Sequence, residues 1–360
     1  MFLFILEIEY ASYNLGIFLC ARCSQIHRSL GAHLSKVKHL KLDKFEDSQL
    51  RRLVEIGNRK AKSIFEKRVP ACYRVPSEKD PQLLIEQWIR AKYERLEFSK
   101  SVRPSFTSGK MEGYLMKRGK EDSRFHPRKF VLNESDDTLK YYVKEERSPK
   151  AILRISELNL VFAFEKTGVK NCLQISYITS ANSTRHLYVY HEDAETIVNW
   201  YNAIRCAKLH YFNIAYPSCS ENELLPLLTR DFAKEGYLLK TGPRKSDGYK
   251  RRWFTLDNRK LMYHDEICDP FPKGEIFLGY HMDGYCVRVG PPEEGFKDQG
   301  FSFTILTPER KFNLSASGSR ERDEWIANIQ KVFERPLTTQ DISISARLIR
   351  KRTTSIGIFG

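Results

Sequence analysis

The chain has 360 residues, enough for two or three domains with their own cores, and 41% hydrophobic with 29% charged residues excludes wholesale disorder. The 60 Lys and Arg against 45 Asp and Glu leave a formal charge of +15, which calls for an anionic partner, either nucleic acid or an anionic membrane. No apolar run approaches the roughly 20 residues of a transmembrane helix, and Glu7 and Glu9 interrupt the short apolar start too early for a signal-peptide core, so a cytosolic protein with peripheral membrane attachment is expected.

In chain order, the first feature is Cys20 with Cys23, the only two of eight cysteines at a short metal-type spacing. The scattered others, Cys72, Cys172, Cys206, Cys219, Cys268 and Cys286, are expected to be reduced thiols. Residues 47–65 set Leu50, Leu53, Val54, Ile56 and Phe65 among basic residues at helical spacing, and residues 82–98 form a second amphipathic pattern. Both helices are expected to pack beneath the cysteine-bearing segment. Residues 99–109, with Pro104 and several serines, read as a linker.

Beyond the linker the sequence repeats itself. Glu112-Gly113-Tyr114-Leu115-Met116-Lys117 returns as Glu235-Gly236-Tyr237-Leu238-Leu239-Lys240. Arg128-Lys129-Phe130-Val131-Leu132 matches Arg252-Trp253-Phe254-Thr255-Leu256, and Leu139-Lys140-Tyr141 matches Leu261-Met262-Tyr263. Arg185-His186-Leu187-Tyr188-Val189 then matches Arg310-Lys311-Phe312-Asn313-Leu314, and Trp200 matches Trp325. A period this long indicates a duplicated domain, since solenoid repeats are much shorter. Alternating apolar and polar residues predict short strands, with turns at 133–137 and 257–259. Helical spacing over 191–209 and 319–333 closes each copy, with Trp200 and Trp325 in the cores. The domains are therefore expected at 110–210 and 233–335, joined by a linker at 211–232. The tail, 336–360, is expected to be disordered, with Arg350-Lys351-Arg352 before Thr353, Thr354 and Ser355 as a candidate phosphorylation or lipid-contact segment.

The Gly-Tyr-Leu-x-Lys start, the basic strand Lys250-Arg251-Arg252-Trp253-Phe254 and the single late tryptophan resemble pleckstrin-homology (PH) domains, twice over. That resemblance implies two seven-stranded, barrel-like β-sandwiches, each capped by a C-terminal helix. It also implies phosphoinositide-binding residues: Lys117, Arg128, Tyr141 and Lys150 in the first copy, and Lys240, Lys250, Arg252, Tyr263 and Lys273 in the second. The residue types suit the ligand, because arginine offers phosphate a bidentate fork and lysine a compact point charge. Arg118, Lys120, Arg244 and Lys245 add diffuse attraction. The first copy has His126 and Pro127 where the second has Lys250 and Arg251.

Residues 1–98 carry a different resemblance. The stretch from Ala11 through Leu15-Gly16-Ile17-Phe18-Leu19-Cys20-Ala21-Arg22-Cys23 to His27-Arg28, then Val37-Lys38-His39-Leu40-Lys41-Leu42-Asp43, Gly57-Asn58 and Trp88-Ile89-Arg90-Ala91-Lys92-Tyr93-Glu94, is similar to part of an Arf GTPase-activating (ArfGAP) zinc finger. Followed by two PH domains, it gives the layout of the centaurin-α, or dual-PH ArfGAP, family, a multidomain α+β architecture. The resemblance implies that Arg28 is the arginine finger, that Cys20 and Cys23 are zinc ligands and that an Arf-family GTPase is the partner. Structural zinc takes four ligands. The missing cysteine pair would fall on Leu3 and before Met1, so zinc binding is in doubt for this chain.

The function expected is an Arf GTPase activator recruited to the plasma membrane by phosphatidylinositol 3,4,5-trisphosphate, its PH domains also binding soluble inositol 1,3,4,5-tetrakisphosphate. The alternative is a catalytically silent adaptor that reads the same lipid. Nucleic-acid binding is not expected, because the basic residues cluster at matched positions without a nucleic-acid motif.

Overall fold

The computed structural model describes residues 8–100, 103–144, 148–242, 247–291, 300–338 and 341–348. Near the N-terminus, β1 (Tyr10–Ser12) pairs antiparallel with β2 (Ile17–Leu19) and β3 (Val37–His39). Gly16 makes the first turn possible: its φ is +73°, and a Cβ there would lie 2.7 Å from the carbonyl oxygen of Arg52. Helix α1 (Ala21–Ser29) starts from Cys20, whose sulfur accepts the N–H of Cys23. Helix α2 (Asp47–Phe65) is capped reciprocally by Glu46 and Gln49 and kinked at Gly57, and α3 (Gln82–Tyr93) follows.

Ile17, Leu19, Ile26, Leu30, Ala61, Ile85, Ile89 and Tyr93 form one core between these elements. The expected packing of α2 holds for one stripe only. Leu53 is buried, whereas Leu50 and Val54 are 46% and 85% exposed. The helix expected over 82–98 ends at Tyr93, and Leu96 turns the chain with φ +54°.

The first repeat forms β4 (Lys110–Arg118), β5 (Phe125–Asn133), β6 (Thr138–Tyr142), β7 (Ala151–Arg154), β8 (Asn159–Phe162), α4 (Phe164–Thr167), β9 (Cys172–Ile178), β10 (Thr184–Tyr190) and α5 (Ala194–Ala215). Helix α6 (Glu221–Leu228) follows. The second repeat forms β11 (Lys234–Lys240), β12 (Lys250–Asp257), β13 (Lys260–His264), β14 (Gly274–Phe277), β15 (Cys286–Val289), β16 (Ser302–Leu306), β17 (Lys311–Ser315) and α7 (Ser319–Phe333). The strand orders are the same, β7-β6-β5-β4-β10-β9-β8 and β14-β13-β12-β11-β17-β16-β15. In each copy the first strand lies between the second and the last, which is how a meander closes toward a barrel. Trp325 is fully buried with its ring edge-on to Phe254, and Trp200 meets Phe130 in the same way.

Contacts divide the chain into two units, one of Met1–Tyr114, Lys129–Ser156 and His191–Leu228, the other of Leu115–Arg128, Glu157–Tyr190 and Thr229–Gly360. In the first, two expected linkers carry structure. Phe106 is buried in a short 3-10 turn, Ser105–Thr107, against Tyr73, and α6 buries Leu224 and Leu228. The expectation of reduced cysteines fails for one pair here. Cys72 is disulfide-bonded to Cys206 on α5, and Arg205 Nε donates to the Cys72 carbonyl at 2.8 Å. The other six cysteines are free.

In the second unit, buried polar groups join β8–β10 to the second barrel. The ammonium of Lys260 donates to Thr184 Oγ1 at 2.7 Å, 3.5 Å from the Glu275 carboxylate, and Lys166 pairs with Glu235. The described part of the tail departs from the expected disorder. Residues 341–348 are helical, and fully buried Arg259 donates to the carbonyls of Val332 and Pro336 and pairs with buried Asp341. Arg244, Lys245, residues 350–352, Thr353, Thr354 and Ser355 lie outside the described residues.

The disulfide spans 134 residues of sequence, so its loss relaxes a long loop in the unfolded chain. Cys206→Ser is expected to lower the unfolding free energy of the oxidised protein by about 2–4 kcal/mol in urea titrations, with the difference vanishing once reductant is present.

Candidate anion-binding sites

Antiparallel register brings the cations of the second copy together. Lys240 at the end of β11 pairs with Lys250 at the start of β12, and Leu238 pairs with Arg252. Because alternate residues share a face, Arg252 lies on the side where Phe254 enters the core, one step nearer the open end, with Lys250 exposed beyond it. Lys240 Nζ donates to the Thr241 carbonyl at 2.7 Å and lies 5.1 Å from the centroid of the Tyr263 ring. Burial, then the charges of Arg310 and Arg252, pull its ammonium down to about 8, with Asp247 opposing the shift. Tyr263 approaches the backbone closely at Gly274, its partner on β14, where a Cβ would stand 2.3 Å from the tyrosine hydroxyl.

Arg252 and Lys273 share a carboxylate. The Asp265 carboxylate pairs with Arg252 Nη1 at 2.9 Å and accepts a hydrogen bond from Lys273 Nζ at 2.9 Å. The hydrogen bond from Lys273, helped by the charges of Arg252, Lys273 and Lys250, holds the Asp265 carboxyl below its ordinary range against the opposing effect of burial.

The first copy repeats part of the lysine's surroundings. Lys117 Nζ donates to the Arg118 carbonyl at 2.9 Å, and Arg128 Nη1 donates to the Pro127 carbonyl as Arg252 does to that of Arg251. Burial, then Arg185 and Arg128, pull Lys117 down to about 8, with Asp122 opposing. His126, where the second copy has Lys250, is paired with Asp122 at 2.6 Å. The backbone N–H of Lys150 donates to the Tyr141 carbonyl at 2.8 Å, as that of Lys273 does to Tyr263. The two tyrosines differ. Tyr141 is buried against Phe130 and pairs with Ala151, whereas Tyr263 is half-exposed opposite Gly274.

Arg185, Arg310 and Asp265 were absent from the expected site residues. The signal for the two arginines was in the repeat, since both open its late strand motif; nothing in the sequence pattern singled out Asp265.

In the N-terminal segment, Cys20 and Cys23 stand side by side at the start of α1, beside a cavity of about 620 Å³ also lined by Ile17, Leu19, Ile85 and Trp88. Burial, then Cys20, push the Cys23 thiol up to about 12. Neither His27 nor Cys72 forms a metal-type group with them. His27 Nδ1 meets Ser35 Oγ at 3.0 Å, with burial pulling its imidazole down to about 4, and Cys72 is in the disulfide. Among the described residues no group of three or more His, Cys, Asp or Glu suits a metal ion. Among the described residues Cys20 and Cys23 supply two of the four ligands that a structural zinc takes. Arg28, exposed in the last turn of α1, holds its guanidinium carbon 5.2 Å from the Tyr10 ring centroid.

Comparison with known proteins follows the same division. Residues 6–102 match the family model for the GTPase activating proteins for Arf, and residues 109–208 and 232–334 match that for the PH domain. The rat Arf-GAP with dual PH domain-containing protein 2 is 43% identical over 337 residues, covering 92% of this chain and 88% of the relative. Its human counterpart is 42% identical over 335 residues, covering 92% and 87%. Among solved structures, the C-terminal PH domain of pleckstrin in complex with D-myo-Ins(1,2,3,4,5)P5 is 30% identical, covering 28% of this chain and 98% of its own, with a TM-score of 0.24.

Removing a neighbouring cation should release Lys240. Arg310→Ala is expected to move its titration up from about 8 toward the ordinary 10.5, measured by NMR of the lysine side chains; an unchanged midpoint would show that the two charges do not interact.

Proposed function

Because the chain belongs to the family of Arf-GAPs with dual PH domains, we propose that it stimulates GTP hydrolysis on an Arf-family GTPase and is recruited to the plasma membrane by phosphatidylinositol 3,4,5-trisphosphate. The observation that carries the lipid reading is the duplicated lysine. Lys117 and Lys240 are each partly desolvated and flanked by two arginines, an arrangement that favours deprotonation unless an anion arrives. A headgroup with several phosphates relieves this repulsion in one step, accepting charge-assisted hydrogen bonds of about 1.5–3 kcal/mol each. Lys250 and Tyr263 extend the second site, and Tyr141 and Lys150 are assigned to the first by their repeat positions. Soluble inositol 1,3,4,5-tetrakisphosphate carries the same phosphates and competes with the membrane.

Arg28 is assigned as the arginine finger. Its guanidinium is exposed and packed on Tyr10, so a long side chain is partly ordered before it meets a partner's nucleotide. A second reading, the silent adaptor, is favoured by the two-thiol half-site, because finger modules draw much of their folding free energy from a complete metal site.

Full-length protein is to be assayed with an Arf-family GTPase on vesicles with and without the trisphosphate lipid. Arg28→Ala is expected to lower stimulated hydrolysis on the order of a thousandfold while leaving sedimentation with vesicles intact. The Arg128→Ala/Arg252→Ala pair is expected to abolish sedimentation. Vesicle binding without stimulation by the unaltered protein would establish the adaptor, and a double variant that still sediments normally would overturn the lipid assignment.

A further inference from the structure

The first and second copies share all the cations of the candidate site but Lys250, and they differ in what opposes them. The register of Phe130 with Tyr141 and of Phe254 with Tyr263, together with the matched hydrogen bonds to Lys150 and Lys273, aligns Val143 of the first copy with Asp265 of the second. Val143 is 52% exposed and carries no charge. Asp265 bridges Arg252 and Lys273, two of the cations expected to receive phosphate.

We propose that Asp265 is a built-in competitor for the second site, standing where a ligand phosphate must bind and setting how many phosphates a ligand needs to displace it. The inference rests on the anion-binding reading of that site.

Three observations carry it. First, the carboxylate engages both cations at hydrogen-bond distance, so a phosphate reaching either one must take it from Asp265. Second, the Asp265 side chain is 49% exposed and that of Lys273 is 53% exposed, so their pair is weak enough to exchange, while Arg252 is only 17% exposed. Third, the carboxyl is held below its ordinary range by the cations around it, so it stays charged wherever a phosphate would approach.

The direction of the effect follows from charge. A single phosphate that takes Arg252 is left beside a carboxylate still held by Lys273, and like charges repel. Adjacent phosphates that take both cations free the carboxylate to turn into water. Asp265 therefore penalises singly phosphorylated anions most, and polyphosphates least.

The test uses the full chain carrying Arg128→Ala, which confines binding to the second copy. Calorimetry with inositol 1,3,4,5-tetrakisphosphate reads the soluble form, and sedimentation with vesicles bearing phosphatidylinositol 3,4,5-trisphosphate reads the membrane form. Asp265→Asn is expected to tighten tetrakisphosphate binding about tenfold and to tighten competition by inorganic phosphate by a larger factor. Asp265→Ser, which removes the charge with a smaller side chain, is expected to do the same. Unchanged or weaker binding in both variants overturns the competitor role while leaving the site in place. If Arg252→Ala in the same background binds as tightly as its parent, the anion-binding reading fails, and the inference with it.

Discussion

Like charges held together in partly desolvated surroundings repel, and both barrels of this protein are organised around that condition. Lys117 lies with Arg128 and Arg185, and Lys240 with Arg252 and Arg310. In neither copy does the nearby aspartate, Asp122 or Asp247, restore the lysine to its ordinary range. Such an arrangement costs stability in the free protein and is reversed by an anion, which is why strongly shifted groups mark candidate sites.

Barrel closure supplies the clustering. Because the first strand is flanked by the second and the last, a lysine at its end has neighbours on both sides. In the second copy Lys240 pairs with Lys250 on one side and with Leu314 on the other, so Arg252 approaches from β12 and Arg310 from the residue that leads into β17. In the first copy Lys117 pairs with Val189 on β10, the strand that also carries Arg185. Trp200 and Trp325, buried on the closing helices against Phe130 and Phe254, anchor the aromatic residues two positions beyond Arg128 and Arg252. The core thus fixes the strand whose end carries the charge.

The duplicated motifs made much of this legible in the sequence, from both sheets to the closing helices and the cations. What escaped depends on contacts between distant residues. Cys72 and Cys206 lie 134 positions apart with no spacing to link them, and Asp341 looks like part of a polar tail until buried Arg259 is seen to pair with it. Asp265 follows β13, where the copies diverge, so comparison of the repeats had nothing to align it with but Val143. In α2 the helical spacing predicts the helix that forms, but Gly57 kinks it, and Leu50 and Val54 face solvent.

The central claim, that the shifted lysines receive the anion, is tested most directly by counting protons. At a pH of about 8.5 most of each lysine is neutral, and a bound polyphosphate returns it toward its ordinary value, so binding must take up protons. Calorimetry of inositol 1,3,4,5-tetrakisphosphate binding in two buffers of different ionisation enthalpy should show net proton uptake at the occupied sites. That uptake should disappear in the Lys117→Met/Lys240→Met variant. Uptake that persists in that variant, or binding by the unaltered protein without uptake, would contradict the account.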